Sequence, residues 1–313
     1  ISGSGKMEGY ISVLSGPDSS YGKTPWQQYS SQIQKVIVKG SVENIGAAAF
    51  LGCRSLAVLD LSGCTNLKKI GGDAFRYTAI QSLDLPDTVT YIDGFDGCEE
   101  LTTVTMHTDP STRSCIIGSN AFDGCKKLST VTLSENVTEI GVGAFYHTAL
   151  KTITFPSGII KISEEAFKNC QLLEEVNFGD SITQIGDYCF SKCTSLQKIA
   201  LPEKLEALGG QVFEGTPVTD ITVPASLTTC SVSDNAGPFT GAADFTSATI
   251  VQEATAIPAN LFYNANSLQY VNIPNTVTSI GENAFYGCMS LEAIYIPASV
   301  KEIDASFFPS GVS

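Results

Sequence analysis

Twelve of the sixteen phenylalanines in this chain fall in one column of a repeated phrase, and that column restricts the possible folds more than any other feature. As a template the phrase reads I-G-x-x-A-F-x-x-C-x-x-L-x-x-V-x-I-P. Good copies are IGAAAFLGCRSLAVLDL from Ile45, IGDYCFSKCTSLQKIALP from Ile185 and IGENAFYGCMSLEAIYIP from Ile280. The column runs Phe50, Phe75, Phe95, Phe122, Phe145, Phe167, Phe190, Phe213, Phe239, Phe262, Phe285 and Phe308. The apolar anchors that lead each copy are Ile45, Ile70, Ile92, Ile117, Ile140, Ile162, Ile185, Leu208, Val232, Ile257, Ile280 and Ile303, mostly 22, 23 or 25 residues apart. Val232 is the weakest anchor, because Cys230 also suits the slot. A unit this short cannot bury its apolar face alone, so neighbouring copies must stack to make a continuous core. Growth in one dimension also accommodates 313 residues in one array, a length at which a single core would have split.

Within a copy, L-x-x-V-x-I alternates apolar and polar residues and often ends at Pro, the pattern of a strand that stops where its ladder can stop. Strands that return to the same place once per repeat must pair in parallel. The segment A-F-x-x-C-x-x-L is short and compact, which predicts a helical or 3₁₀ turn on the opposite side. The expected fold is therefore an α/β repeat solenoid, with a parallel β-sheet on the concave face and short helical turns opposite. Residues 1–40 lack the Phe column and are expected to cap the array, with Trp26 covering the open end of the core. Residues 41–313 supply about twelve repeats in one continuous solenoid, the last incomplete. The least regular stretch, TTCSVSDNAGPFTGAADF (228–245), reads as a loop bulging from the array, and 61–71 and 106–118 carry insertions.

The repeated phrase, together with the opening TPWQQY…IQKVIVKGSVENIG, resembles the BspA-like class of leucine-rich repeat proteins, found in secreted and cell-surface proteins of bacteria and some protozoa. The resemblance covers essentially the whole chain. It implies a right-handed leucine-rich-repeat solenoid displayed outside the cell and an association with adhesion. It implies no catalytic residue, because the shared residues belong to the core.

Composition excludes several partners. The net charge is −14 with a pI near 4.5, and Arg54, Arg76 and Arg113 are the only arginines. Binding to a nucleic-acid backbone rests on clustered Lys and Arg, so no nucleic acid is expected. No run approaches eighteen apolar residues, so no transmembrane segment is expected. The opening ISGSGKMEGY has no basic-then-apolar signal, and its abrupt start suggests an export signal lying upstream.

The ten cysteines invite a chemical reading that their positions oppose. Cys53, Cys98, Cys125, Cys170, Cys193 and Cys288 all stand three residues after the column Phe, a slot that Thr78, Thr148 and Thr216 take in other copies. A slot that accepts Thr is a small interior position and not a thiolate site. There is no C-x-x-C and no Cys/His cluster with zinc spacing, so no metal or cofactor is expected. The stretch GPDSSYGKT (16–24) has five residues between its glycines, one too many for a phosphate loop. Neither His107 nor His147 lies in a catalytic motif, and scattered carboxylates cannot be paired from sequence alone.

The informative letters are those that point out of the sheet. Along the concave face the outward columns include Asp60, Asp84, Thr103, Thr105, Thr130, Thr132, Thr152, Thr154, Asn177, Tyr270, Asn272 and Tyr295. The centre is a row of hydroxyls, flanked by two carboxylates toward one end and by tyrosines at neighbouring repeats toward the other. β-branched Thr also simply suits a strand. The expected function is a non-enzymatic extracellular recognition or adhesion module that binds a protein or glycan through this face or the irregular loop. Alternatives are a spacer that displays other domains at the cell surface and, less in keeping with the residues, a carbohydrate-active enzyme.

Overall fold

The computed structural model describes residues 5–6, 24–107, 114–303 and 306. Most of the near-miss phosphate loop (16–23), the inserted residues 108–113 and Phe308 therefore lie outside the described residues. The chain forms two compact units, Ile1–Gly158 and Ile159–Ser313, each made of stacked coils.

In the first unit the L-x-x-V-x-I segments form the front strands Lys35–Gly40, Val58–Cys64, Ser82–Leu85, Thr103–Met106, Thr130–Thr132 and Thr152–Thr154. Ser82–Leu85, Thr103–Met106 and Thr130–Thr132 pair in parallel in the repeat's own register, Ser82 with Thr103 and Thr103 with Thr130, and Lys35–Gly40 pairs in parallel with Val58–Cys64. The alternation does what it predicts: Leu83, Leu85, Val104 and Ile153 are buried while the letters between them face out. A second parallel ladder, which the sequence reading lacks, forms where each coil reaches its anchor, at Val42–Ile45, Lys69–Ile70, Tyr91–Ile92, Cys115–Ile117 and Val137–Ile140. These strands are only two to four residues long, too short to show an alternating pattern. The second unit repeats the plan, with front strands Glu175–Asn177, Asp220–Val223, Ser247–Ile250 and Tyr270–Asn272. Its rear strands begin with Lys161–Ile162, Gln184–Ile185, Ala207–Leu208 and Thr229–Cys230.

The expected helical turns are absent, which corrects the α/β assignment. Among the described residues the one helical element is a 3₁₀ turn at Gln27–Tyr29, outside the repeats. The A-F-x-x-C segment is instead a chain of tight turns carrying left-handed residues three after the anchor and two after the Phe. Ala48 and Gly52 hold these places in the first copy, Asn283 and Gly287 in a late one. A helix needs every N–H directed along its own axis. Here alternate amides point at the next coil, Ala48 to Gly72, Phe50 to Ala74 and Gly52 to Arg76, at 2.7–2.9 Å. Local bonds from Ala49 N–H to Gly46 O and from Leu51 N–H to Ala48 O, both at 3.3 Å, satisfy the amides between them. Coils in such close contact also explain the glycine after the anchor, since a Cβ on Gly209 would lie 2.4 Å from Asp187 N.

The Phe column is a stack of rings. In the first unit Phe50, Phe75, Phe95, Phe122 and Phe145 follow one another at centroid spacings of 5.2–5.6 Å, nearly parallel. Trp26 lies on Phe50 at 5.3 Å and donates its indole N–H to Ala49 O at 2.7 Å, so it occupies the ring position before the first repeat. In the second unit the column continues from Phe167 through Phe285, and Phe245 inserts an extra ring 4.5 Å from Phe239.

All ten cysteines are buried, and none is joined in a disulfide. Four of those in the ladder slot donate to the column Phe carbonyl of the coil before: Cys98 to Phe75, Cys125 to Phe95, Cys193 to Phe167 and Cys288 to Phe262, at 3.1–3.2 Å. Thr216 makes the equivalent bond to Phe213 O at 2.8 Å within its own coil, which is how one slot accepts either side chain. Burial pushes the thiols up, to about 11 at Cys53 and about 12 at Cys115 and Cys288.

The irregular repeat also departs from expectation. Cys230 and not Val232 is its anchor, pairing with Leu208 at 6% exposure while Val232 is 39% exposed. The predicted bulging loop shrinks to a two-residue turn: Ser233 and Ala236 exchange backbone bonds at 2.9–3.0 Å around Asp234 and Asn235, both left-handed. That is a type I′ turn, for which Asp and Asn are suited. The rest of the stretch returns to the core through Phe239 and Phe245.

Candidate interaction surface

The first unit brings six of the named threonines onto one face. Thr103 stands opposite Ser82 and Thr130, and Thr105 opposite Asp84 and Thr132, while Thr152 and Thr154 sit on the following front strand. Strand geometry places hydroxyl-bearing residues about 4.8 Å apart across strands and about 6.7 Å apart along them. Thr130, Thr132, Thr152 and Thr154 are exposed and Thr103 and Thr105 half-buried. A shallow cleft of about 300 Å³ lies between Thr132 and Thr154, with Glu135 at its rim.

Asp60 and Asp84 line a separate cleft of about 490 Å³ on the same unit. Its origin is the two-residue insertion after Leu61, which lengthens the front strand Val58–Cys64 and shifts its register against Lys35–Gly40. Asp60 accepts the Ser62 hydroxyl at 2.7 Å and the Ser62 N–H at 3.1 Å, and these bonds hold its carboxyl below the usual range. Asp84 Oδ1 lies 2.6 Å from Nε2 of His107. His107 and Ser62 were missed as surface residues by the sequence reading. His107 was legible, since extending the outward column Thr103, Thr105 by one step arrives at it.

In the second unit Asn177 donates to Glu175 Oε1 at 3.1 Å, and Tyr270 and Asn272 stand opposite Ser247 and Thr249. Tyr270 is 60% exposed and Tyr295 76% exposed. The structure does not bring these two rings together. Residues 291–297 form no strand, and among the described residues no ring contact joins Tyr270 to Tyr295. The tyrosines that do stack are Tyr263 and Tyr286, at 5.0 Å, in the position after the column Phe on the outer turns. Their signal was available, because both follow a column Phe directly.

The short coil between Ile92 and Phe95 gathers charge on the outer turns of the first unit. It lacks two residues of the template. Arg76 Nε approaches Asp96 Oδ2 at 3.0 Å and Arg76 Nη1 approaches Asp73 Oδ1 at 3.4 Å. Burial outweighs the attraction of Arg76 and, with Asp123, Asp73 and Asp93 nearby, pushes Asp96 up to about 6. In the second unit Asp187 accepts Gly210 N–H at 2.8 Å, the Ser231 hydroxyl at 2.7 Å and the Ser233 hydroxyl, pinning the irregular turn. Its own burial opposes ionisation, but these bonds prevail and hold its carboxyl low. Among the described residues no group of three or more His, Cys, Asp or Glu is arranged to hold a metal ion. Among them, too, no helix is long and apolar enough to cross a membrane.

A family model described as the BspA type leucine rich repeat region matches the chain in six copies, over residues 27–113, 115–236 and 231–311. No curated protein matches it. Among solved structures the chain is similar to a leucine rich cell surface protein from Faecalibacterium prausnitzii, at 25% identity over 98% of this chain and 88% of that one, with a TM-score of 0.49. It is also similar to a leucine-rich repeat protein from Bacteroides ovatus, at 24% identity over 89% and 82% of the two chains, TM-score 0.46. A third, from Eubacterium ventriosum, is 18% identical over 99% and 91%, TM-score 0.47.

Proposed function

The chain belongs to the BspA-type leucine-rich repeat family, and from that premise we propose that it is a non-enzymatic recognition module at the cell surface or outside the cell, binding a protein or glycan through its front strands. The observation that carries this reading is the hydroxyl array of the first unit. Thr103, Thr105, Thr130 and Thr132 stand in register, with Thr152 and Thr154 on the following front strand, and they present hydroxyls at spacing fixed by the strands, so a partner finds its hydrogen-bonding groups already placed. The cleft of Asp60, Asp84 and His107 adds a carboxylate-bearing pocket to the same unit. In the second unit Tyr270 and Tyr295 offer exposed aromatic surface at separate points. Trp26, in the ring position before Phe50, supports reading residues 1–40 as the cap of the array.

The test is an array of extracellular matrix proteins and glycans, probed with the chain and with a Thr130→Val, Thr132→Val, Thr152→Val, Thr154→Val variant. Valine keeps the branched shape and strand preference while removing the hydroxyls. Loss of two or three bound hydroxyls weakens binding by about tenfold or more at unchanged thermal stability. A partner bound equally by both forms refutes the hydroxyl array as the contact.

A further inference from the structure

Three front strands of the second unit, Asp220–Val223, Ser247–Ile250 and Tyr270–Asn272, carry outward letters in register. Asp220 stands opposite Ser247 and Ser247 opposite Tyr270, while Thr222 stands opposite Thr249 and Thr249 opposite Asn272. Beneath them Ile221, Val223, Ala248, Ile250 and Val271 are buried, so the outward side chains stand on a packed floor. Strand geometry sets the two rows about 6.7 Å apart and spaces each row at about 4.8 Å, which puts the backbones of Tyr270 and Asp220 about 9.6 Å apart.

The hydrogen-bonding groups of this face are unused within the protein. Among the described residues Thr222, Ser247, Thr249, Tyr270 and Asn272 make no side-chain hydrogen bond, and Asp220 accepts the Thr219 hydroxyl at 2.9 Å. No other ring stacks on exposed Tyr270 among the described residues. On the Asp220 side the face opens into a cleft of about 640 Å³, where Glu175, Glu203 and Asp220 outnumber Lys198.

We propose that this three-stranded face binds an uncharged oligosaccharide, with one sugar ring stacked on Tyr270 and the next reaching toward Asp220 and its cleft. One side of a pyranose is made of C–H bonds, whose partial positive charge suits the negative face of the Tyr270 ring. Its edge is a row of hydroxyls, each both donor and acceptor, and the hydroxyls of Ser247, Thr222 and Thr249, the Asn272 amide and the Asp220 carboxylate answer them. A protein partner calls for an apolar centre ringed by polar groups, whereas here one aromatic ring stands at the margin of a polar set. The carboxylates of the cleft repel an acidic glycan, which restricts the occupant to an uncharged one. The span from Tyr270 to Asp220 exceeds a single sugar ring, so the occupant is an oligosaccharide. The proposal rests on the reading of the front strands as the recognition face and adds the class of partner for the second unit.

The experiment is isothermal titration of the whole chain with uncharged oligosaccharides of glucose, mannose, galactose, xylose and N-acetylglucosamine, with a heparin fragment as the acidic comparison. Saturable binding of an uncharged oligosaccharide is expected, and none of heparin. For the sugar bound, Tyr270→Ala weakens binding by about tenfold or more, and Tyr270→Phe, which keeps the ring, by less than about threefold. Asp220→Asn and Asn272→Ala each weaken it severalfold. All three side chains are exposed, so the variants should unfold at the temperature of the native chain. The Thr130→Val, Thr132→Val, Thr152→Val, Thr154→Val variant should bind the sugar as the native chain does. Failure of every uncharged oligosaccharide to bind overturns the proposal, as does equal binding by Tyr270→Ala or tighter binding of heparin. A protein that needs Tyr270 while no sugar binds overturns it too, yet upholds the front strands as the recognition face. Loss of the sugar in the valine variant moves the contact to the first unit and overturns this proposal alone.

Discussion

Replacing Phe122 by Ala removes one ring from the middle of the stack in the first unit. The side chain is fully buried, with Phe95 5.6 Å away on one side and Phe145 5.4 Å on the other. Truncating a buried Phe costs about 3–5 kcal/mol. Each lost ring pair adds about 0.5–1.5 kcal/mol, not fully additively, so a total near 5 kcal/mol is expected. The effect should be local, because each coil touches mainly its neighbours. The assay is native-state hydrogen exchange of the outer-turn amides that link these coils. These are Phe95, Gly97 and Gly124, whose N–H groups bond to the carbonyls of Ala121, Asp123 and Tyr146. At about 1.4 kcal/mol per decade, protection there should fall by about three orders of magnitude. Amides around Ala48 and Phe50, three coils from Phe122, should change far less. A drop of less than tenfold, or an equal drop at Phe50, refutes the stacked nearest-neighbour account.

Two further outcomes follow from the interior. Cys125→Thr should cost less than about 1.5 kcal/mol in urea unfolding, since the slot already accepts Thr in other coils, whereas Cys125→Asp should unfold the region by burying a charge. In the native chain at pH 8 none of the ten thiols should react quickly with a maleimide, because all are buried. Rapid labelling of any one contradicts the structural assignment. Asp96 supplies a pH signature. Its folded value is raised to about 6, so its contribution to stability is fully present below the unfolded value near 4 and is lost as pH rises through about 6. Discounted for solvent screening, the contribution is on the order of 1–2 kcal/mol. Comparing the chain with Asp96→Asn isolates it from carboxylates such as Asp187 that shift the other way. A variant whose stability keeps the same slope between pH 4 and 7 removes Asp96 from the account.

The repeat, the ring column, the parallel front strands and the structural nature of the thiols were legible because each rests on a periodic apolar pattern. Residues such as Leu83 and Val104 reveal their strands by alternating with Ser82, Asp84, Thr103 and Thr105. The outer turns were misread as helical because compactness was the only cue used. The cue against helix was the residue two after the Phe, where Gly52, Gly97, Gly124, Asn169, Gly215, Asn264 and Gly287 favour the left-handed conformation. The rear ladder left no pattern because strands of two to four residues are too short to show alternation. Of the surface, the alternation on the strands was legible, with Ser82, Asp84, Thr130, Thr132, Thr152 and Thr154 exposed while Leu83, Leu85 and Ile153 are buried, but the relations across strands were not. The pairing of Asp84 with His107 and the separation of Tyr270 from Tyr295 both depend on how neighbouring coils meet, which no single repeat encodes.

Hydroxyl-radical footprinting of the chain with and without a bound partner asks most directly which side of the coils carries recognition. Exposed reactive side chains mark both sides: His107, Tyr270 and Tyr295 at the front, Tyr286 and Met289 on the outer turns and beside them. The account predicts that the partner shields front residues and leaves Tyr286 and Met289 labelled as in the free chain. Protection of Tyr286 and Met289, with His107, Tyr270 and Tyr295 all unchanged, contradicts it.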